Sequence, residues 1–178
     1  MAARGEERRL PAAVRHVLDQ DYPAGIELVL AVGPSRDRTR EIAGQLAAAD
    51  SRITVLDNPA GEIPAGLNLA IAASRHPVIV RADARSLLPA GYVRTAVQVL
   101  RETGAVNAGG YRAAQGVTPF QQAVAWAMTS PAGVGPARYQ TGGEPGPCDS
   151  VYLGAFRREP SSEPAATARA TCAPRTGN

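Results

Sequence analysis

Lysine is absent from this 178-residue chain: all 19 basic residues are arginine, against 16 acids, for a formal net charge of +3. With abundant Ala, Gly and Pro, that usage reads as GC-rich codon bias. The arginines are scattered rather than striped, and aromatics make up only 4% of residues. A single-stranded nucleic acid would find no stacking platform, so nucleic acid is not an expected partner. Cysteine is scarce as well. Cys148 and Cys172 stand in no CxxC or His-paired spacing, which excludes a structural zinc site and fits a reduced compartment. No apolar run approaches the ~18 residues of a membrane span, and "MAARGEERRL" has no apolar core of a signal peptide. The expected location is cytoplasmic. After Phe156 there is no Ile, Leu, Val, Met or aromatic residue, so residues 159–178 are expected to form a disordered, low-complexity tail.

The remaining chain is long enough for one core, and its pattern alternates helix with strand. "LPAAVRHVLDQ" puts Leu10, Val14, Val17 and Leu18 on one helical face, with Pro11 tolerated in the first turn. "IELVLAV" (26–32) is an apolar run of strand length. "SRDRTREIAGQLAAAD" opens with Ser35 and Asp37 as candidate N-caps. "RITVLDN" and "HPVIVRAD" read as strands, with the helix "IPAGLNLAIAAS" between them. "LPAGYVRTAVQVLRETG" carries the stripe Val93, Ala96, Val97 and Leu100, and Gly104 stands where a helix ends. "AVNAGGY" and "SVYLGAF" are further strands around the helix "TPFQQAVAWAM". Strands separated by helices define an α/β fold with a mostly parallel sheet. The first element in this reading is a helix.

Open α/β sheets bind ligands beyond the carboxyl ends of their strands. That rule selects the loops Gly33–Asp37, Asp57–Gly66, Asp83–Ser86 and the one after Tyr111. No GxGxxG follows a strand, and neither a Walker A sequence nor a GxSxG elbow occurs, which disfavours dinucleotide, P-loop and hydrolase readings. His16 and His76 read as surface or hydrogen-bonded histidines. Asp83 has two readings from the residues alone: a ligand for a nucleotide-bound divalent ion, or a loop acid that caps a nearby helix.

The segments "GEERRLPAAVRHVLDQDYP", "IELVLAVGPSRDRTREIA", "DNPAGEIPAGLNLAIAASRHPVIVRADARSLLPAGYV" and "CDSVYLGAFRRE" occur in an order that resembles family 2 glycosyltransferases. The resemblance is to the succinoglycan type of exopolysaccharide synthesis, over about residues 4–159. It implies a GT-A fold, a Rossmann-like sheet flanked by helices, over a partial donor-binding domain at 4–158. It also implies transfer of a sugar from a nucleotide-diphosphate donor with Mg²⁺ or Mn²⁺. The acceptor would be a lipid-linked molecule or a saccharide, met in the cytoplasm or at the inner face of the membrane. By the resemblance, Glu6 and Glu7 match the acids of an "NE" motif near the nucleotide, and Ser35 and Asp37 the "S-x-D-x-T" turn. Asn58, Gly66 and Asn68 match a segment that approaches the diphosphate. Asp83 matches the first acid of the D-x-D-like motif facing metal and ribose, and Asp149 an acid on the acceptor side.

The chain also departs from the family pattern. Gly5 stands where the family has Asn, Ala31–Gly33 where many relatives carry a base-reading acid, and Arg85 where they carry a second acid or His. An arginine there pairs with diphosphate directly and repels a metal. The resemblance begins at a motif that follows the family's first strand. It ends before the "GxxDE" and "ED" motifs that carry the general base. These features lead to the expectation of an incomplete fold, truncated at both ends and impaired in transfer, with no catalytic residue assigned. The alternative is a non-catalytic nucleotide-sugar-binding or interaction module.

Overall fold

The computed structural model describes residues 1–110, 116, 118–128, 130, 146–148, 151–158 and 170–172. Its elements follow in the order β1 (Ala2–Ala3), α1 (Leu10–Leu18), β2 (Leu28–Val32), α2 (Thr39–Ala49), β3 (Ile53–Asp57), α3 (Ile63–Ala73) and β4 (Val78–Val80). Then come α4 (Tyr92–Thr103), β5 (Asn107–Gly110), α5 (Pro119–Ala127), β6 (Gly146–Cys148), β7 (Tyr152–Arg157) and β8 (Ala170–Cys172). The chain divides into two compact units, Met1–Arg94 and Thr95–Asn178.

In the first unit β1, β2 and β3 form a parallel sheet in that order. The pairing of β2 and β3 runs from Leu28↔Ile53 to Val32↔Asp57. All five residues of β2 are buried, as expected for a parallel strand covered on both faces. Alternation puts Val29 and Ala31 on one face, where they pack with Ala70 of α3 and with Leu56. Each such Val or Leu contributes about 1.5–3 kcal/mol when fully buried. Leu10, Val14 and Val17 of α1 are buried as their spacing requires.

The first element is a strand, not the helix expected from the sequence. Ala2 and Ala3 pair with Ala31 and Val32; Met1 O accepts from Ala31 N, and Ala3 O from Gly33 N, each at 2.9 Å. Two alanines carry neither β-branching nor alternation, so no sequence pattern marks them.

In the second unit β7, β5, β8 and β6 lie side by side. Here β5 runs antiparallel to β7 and parallel to β8, and β6 is antiparallel to β8. Pairing is thus wholly parallel in the first unit and mixed in the second. Ala96, Val97 and Leu100 of α4 are buried, and Gly104 ends the helix at φ +66. Thr118 caps α5 in a reciprocal capping box with Gln121. Strand β8 lies within the stretch expected to be disordered; it pairs with β5 and β6 although its sequence, Ala-Thr-Cys, has no large apolar side chain. Cys148 is disulfide-bonded and no cysteine is free among the described residues, where the sequence led us to expect a reduced pair. The chain's other cysteine, at position 172, lies on β8, the strand that pairs with β6.

The tightest approach in the first unit is at Gly66 of α3. A Cβ there would lie 2.7 Å from Asn58 Nδ2 and 3.1 Å from Ala2 Cβ. Asn58 cannot swing aside, because it is buried and its Nδ2 donates to Glu62 O at 2.9 Å. Gly→Ala in an open helix gains about 1 kcal/mol. Here we expect Gly66→Ala to cost about 1–3 kcal/mol instead through overpacking. Urea denaturation reads the sign, and a stabilised variant would refute this packing.

Candidate functional site

Three loops at the carboxyl ends of β1, β2 and β3 are joined by side chains. The turn after β1 presents three successive N–H groups, and the turn after β2 receives each of them. Gly5 N donates to Ser35 Oγ (3.1 Å), Glu6 N to Thr39 Oγ1 (2.7 Å) and Glu7 N to Asp37 Oδ2 (3.2 Å). In return Glu7 Oε2 accepts from Arg38 N at 3.0 Å. Ser35 Oγ donates to Gly33 O, and Asp37 Oδ1 accepts from Thr39 N (3.1 Å) and Thr39 Oγ1 (2.6 Å). Asp37 stands one residue before Arg38, the N-cap of α2, and meets the first N–H of the helix from there, while Ser35 serves the neighbouring turn. Gly5 adopts φ +66, a region that Asn also tolerates. That accounts for a glycine where the resembling family has asparagine.

The Thr39 hydroxyl holds the Asp37 carboxyl below the ordinary carboxylate range, with the backbone N–H groups of Glu7 and Thr39 adding to the effect.

The loop after β3 is built on Asn58. Its backbone N donates to Val32 O and its Nδ2 to Glu62 O, while Oδ1 is buried without a hydrogen bond among the described residues. Asn58 and Gly66 are thus in contact. Asn68, two residues past Gly66, is exposed on another face of α3. Arg4 Nη1 donates to Gly61 O at 3.3 Å and links the first and third loops.

The loop after β4 carries Asp83 and Arg85. Both Asp83 oxygens accept from Arg81, at 3.1 and 3.3 Å. Arg85 reaches back to Glu6, whose Oε1 accepts from Arg85 Nε. Glu6 is only 6% exposed, and its Oε2 lies 3.6 Å from Arg9 Nη1. The two pairs differ in strength. Arg81 and Asp83 are 44% and 31% exposed, so their pair contributes about 0–1 kcal/mol. Losing Arg85 would strand a buried carboxylate. Breaking a fully buried pair costs about 3–5 kcal/mol, and the 70% exposure of Arg85 reduces this to about 1–3 kcal/mol.

The loop's far end is tied to α1. His16 Nδ1 lies 3.0 Å from Leu88 O, Gln20 Nε2 donates to Pro89 O at 2.8 Å, and Gln20 Oε1 accepts from Val93 N at 3.1 Å. Burial pushes the Met1 amine down to about 6, opposed by the negative charge of Asp83, which places this loop beside β1.

Of the residues selected from sequence, Glu6, Glu7, Ser35 and Asp37 form one hydrogen-bonded cluster, and Arg85 joins it through Glu6. Asn58 and Gly66 form a second contact. Asp83 pairs with Arg81, and its carboxylate accepts no helix N–H among the described contacts. Asp149 and the loop after Tyr111 lie outside the described residues. Sequence reasoning missed Arg4, Gln20, Thr39 and Arg81 as participants. Thr39 had a signal, as the last letter of the "S-x-D-x-T" turn. Arg81 had one too, because i and i+2 share a side at a strand exit.

A hard divalent cation needs carboxylate oxygens and water. Here the one acid at the end of β4 is covered by a guanidinium, and a second guanidinium stands two residues on. Among the described residues no group of three or more His, Cys, Asp or Glu side chains is placed to hold a metal ion. The residues present do not fit a resident metal.

Comparisons with known proteins define the class. Glycosyl transferase family 2 matches residues 1–163; the chain belongs to this family. It is 32% identical over 139 residues to the succinoglycan biosynthesis protein ExoA of Rhizobium meliloti (strain 1021), covering 77% of this chain and 42% of ExoA. The chain thus spans less than half the length of that relative. Its fold is similar to that of S. aureus TarS 1-349, with a TM-score of 0.61 and 14% identity over 88% of this chain and 45% of that one. It is also similar to the mannosyltransferase PcManGT from Pyrobaculum calidifontis, solved with GDP-Man and Mn²⁺. That match has a TM-score of 0.60 and 18% identity over 88% and 42% of the two chains. TarS 1-349 has also been solved with UDP-GlcNAc. The fold is GT-A.

Thr39→Val removes the acceptor for Glu6 N and the donor to Asp37 with little change of shape. We expect a loss of about 1–3 kcal/mol from the orphaned N–H and a rise in the Asp37 pKa. A carboxylate with a lowered folded pKa contributes stability above its unfolded value and loses it as pH falls through the folded one. The variant's acid unfolding should therefore lack that component. Carboxyl chemical shifts followed against pH check it, and an unmoved Asp37 would refute the assignment.

Proposed function

We propose that this chain forms the donor-binding part, residues 4–158, of a transferase that takes a sugar from a nucleotide-diphosphate donor in polysaccharide biosynthesis. The observation that carries the reading is the side-chain cluster joining the carboxyl-end loops of parallel strands, where open α/β sheets bind ligands. Glu6, Glu7, Ser35, Asp37, Asn58, Gly66, Asn68, Asp83 and Arg85 are the proposed donor-side residues, and Asp149 the acceptor-side one. Some of them act by contact. Others, Gly66 and Asn58 above all, act by holding the loops at their spacing. ExoA's part in succinoglycan biosynthesis and the nucleotide sugars bound to TarS and PcManGT support the same donor class.

The acceptor we propose is a saccharide or lipid-linked molecule, met in the cytoplasm or at the inner face of the membrane. No helix among the described residues is long and apolar enough to cross a membrane. In a reducing cytoplasm the disulfide of Cys148 would be open. The Mg²⁺ or Mn²⁺ implied by the resemblance, and present in PcManGT, would have to displace Arg81 from Asp83.

Thermal unfolding with UDP and with GDP tests the reading. A nucleotide at 100 times its dissociation constant adds about 2.7 kcal/mol of stability, so we expect a saturable rise in midpoint with one of the two. No rise with either, up to millimolar concentrations, would refute donor binding.

A further inference from the structure

The loop after β4 contains a charge arrangement that a metal site would not need. Asp83 in this loop and Glu6 in the turn after β1 are the carboxylates, and three guanidiniums, those of Arg9, Arg81 and Arg85, pair with them. The positive charge is already in excess. A divalent ion entering beside Asp83 would meet Arg81 on both carboxylate oxygens, and like charges at that range repel. A diphosphate entering the same place meets the opposite field.

We infer that this chain binds the diphosphate of a nucleoside diphosphate without a divalent cation, with Arg85 supplying the neutralising charge. The inference rests on the donor-binding reading above. Arg85 is suited to the part by how it is held. Its Nε donates to Glu6, and of the five donors of a guanidinium this bond uses one. The side chain is nonetheless 70% exposed, so the rest of the fork is within reach of a ligand. Glu6 is fixed in turn by its own backbone, whose N–H donates to the fully buried Thr39. Its carbonyl accepts from Arg9 N and Leu10 N, which open α1. A guanidinium anchored at Nε is oriented before the ligand arrives, and its planar face of donors matches phosphate oxygens bidentately. Arg81 is a second, weaker source of positive charge, held by its pair with Asp83.

The experiment is calorimetric titration of the full chain with UDP and with GDP, in EDTA and again in Mn²⁺. The nucleotide that binds should do so with the same affinity, within about threefold, under both conditions. Arg85→Ala should weaken that binding about 10- to 100-fold in both. Arg85→Lys keeps a cation beside Glu6 and guards against a folding defect; it should recover part of the affinity. Asp83→Asn separates the two chemistries. A metal ligand lost there would abolish binding, whereas on this inference the variant, which frees Arg81 as it loses the Asp83 charge, keeps a measurable affinity that is the same in EDTA and in Mn²⁺. Binding that requires Mn²⁺ and disappears in Asp83→Asn would overturn this inference and leave donor binding standing. No binding of either nucleotide under either condition would overturn donor binding itself, and this inference with it.

Discussion

The site depends on three consecutive N–H groups finding three side-chain oxygens. Gly5, Glu6 and Glu7 leave β1 with their donors pointing away from the sheet, where no strand can receive them. Glu6 N, the buried donor of the three, would cost about 1–3 kcal/mol if unmet. Ser35, Thr39 and Asp37 meet all three from the next βα turn. Because the oxygens come from one short turn, the two loops cannot shift independently. The positive φ of Gly5 allows the chain to turn into this alignment.

The placement of charge follows from that alignment. With its backbone fixed by Thr39 and by the start of α1, the Glu6 side chain is buried, and a buried carboxylate requires a cation. Arg9 lies at 3.6 Å, beyond hydrogen-bond distance, and Arg85 makes the direct bond. The β4 loop is therefore held at one end by an ion pair with a buried partner and at the other by His16 on α1 and Gln20 just past its end. Asp83 comes before both anchors and pairs with the exposed Arg81. The family motif and the physical anchor are thus different residues: Asp83 carries the resemblance, but Arg85 fixes the loop.

Much of this was legible in the sequence, and the gaps have physical causes. Apolar periodicity located α1, β2, α3 and α4, because burial against a core leaves a repeating signature. Strand β1 was missed because two alanines have no signature, and the pairing that defines it involves partners almost thirty residues away. Strand β8 was missed for a related reason: its backbone hydrogen bonds require no apolar side chain, and composition reports only side chains. The loops of the site were legible through their motif order, but the roles within each motif were not. Thr39, fully buried and bonded twice, looks from sequence like any helix-start threonine, and Gln20 carries no mark at all.

Asn58 and Gly66 show how such a motif divides its labour. The resemblance associates the segment with a diphosphate, yet the Asn58 amide donates to Glu62 O and fills the space a Cβ on Gly66 would need. The glycine is demanded by an asparagine eight residues earlier, and the asparagine by a carbonyl at the start of α3. That reciprocal fit sets how near α3 comes to β1 and β2, and hence where the β3–α3 loop stands beside Arg4 and the first turn. Residues of this kind can recur in a binding motif without touching the ligand, because moving the loop by an ångström would misplace those that do. Arg85 is the opposite case. Nothing in the packing of the core requires its exposed guanidinium; the buried acid beside it does.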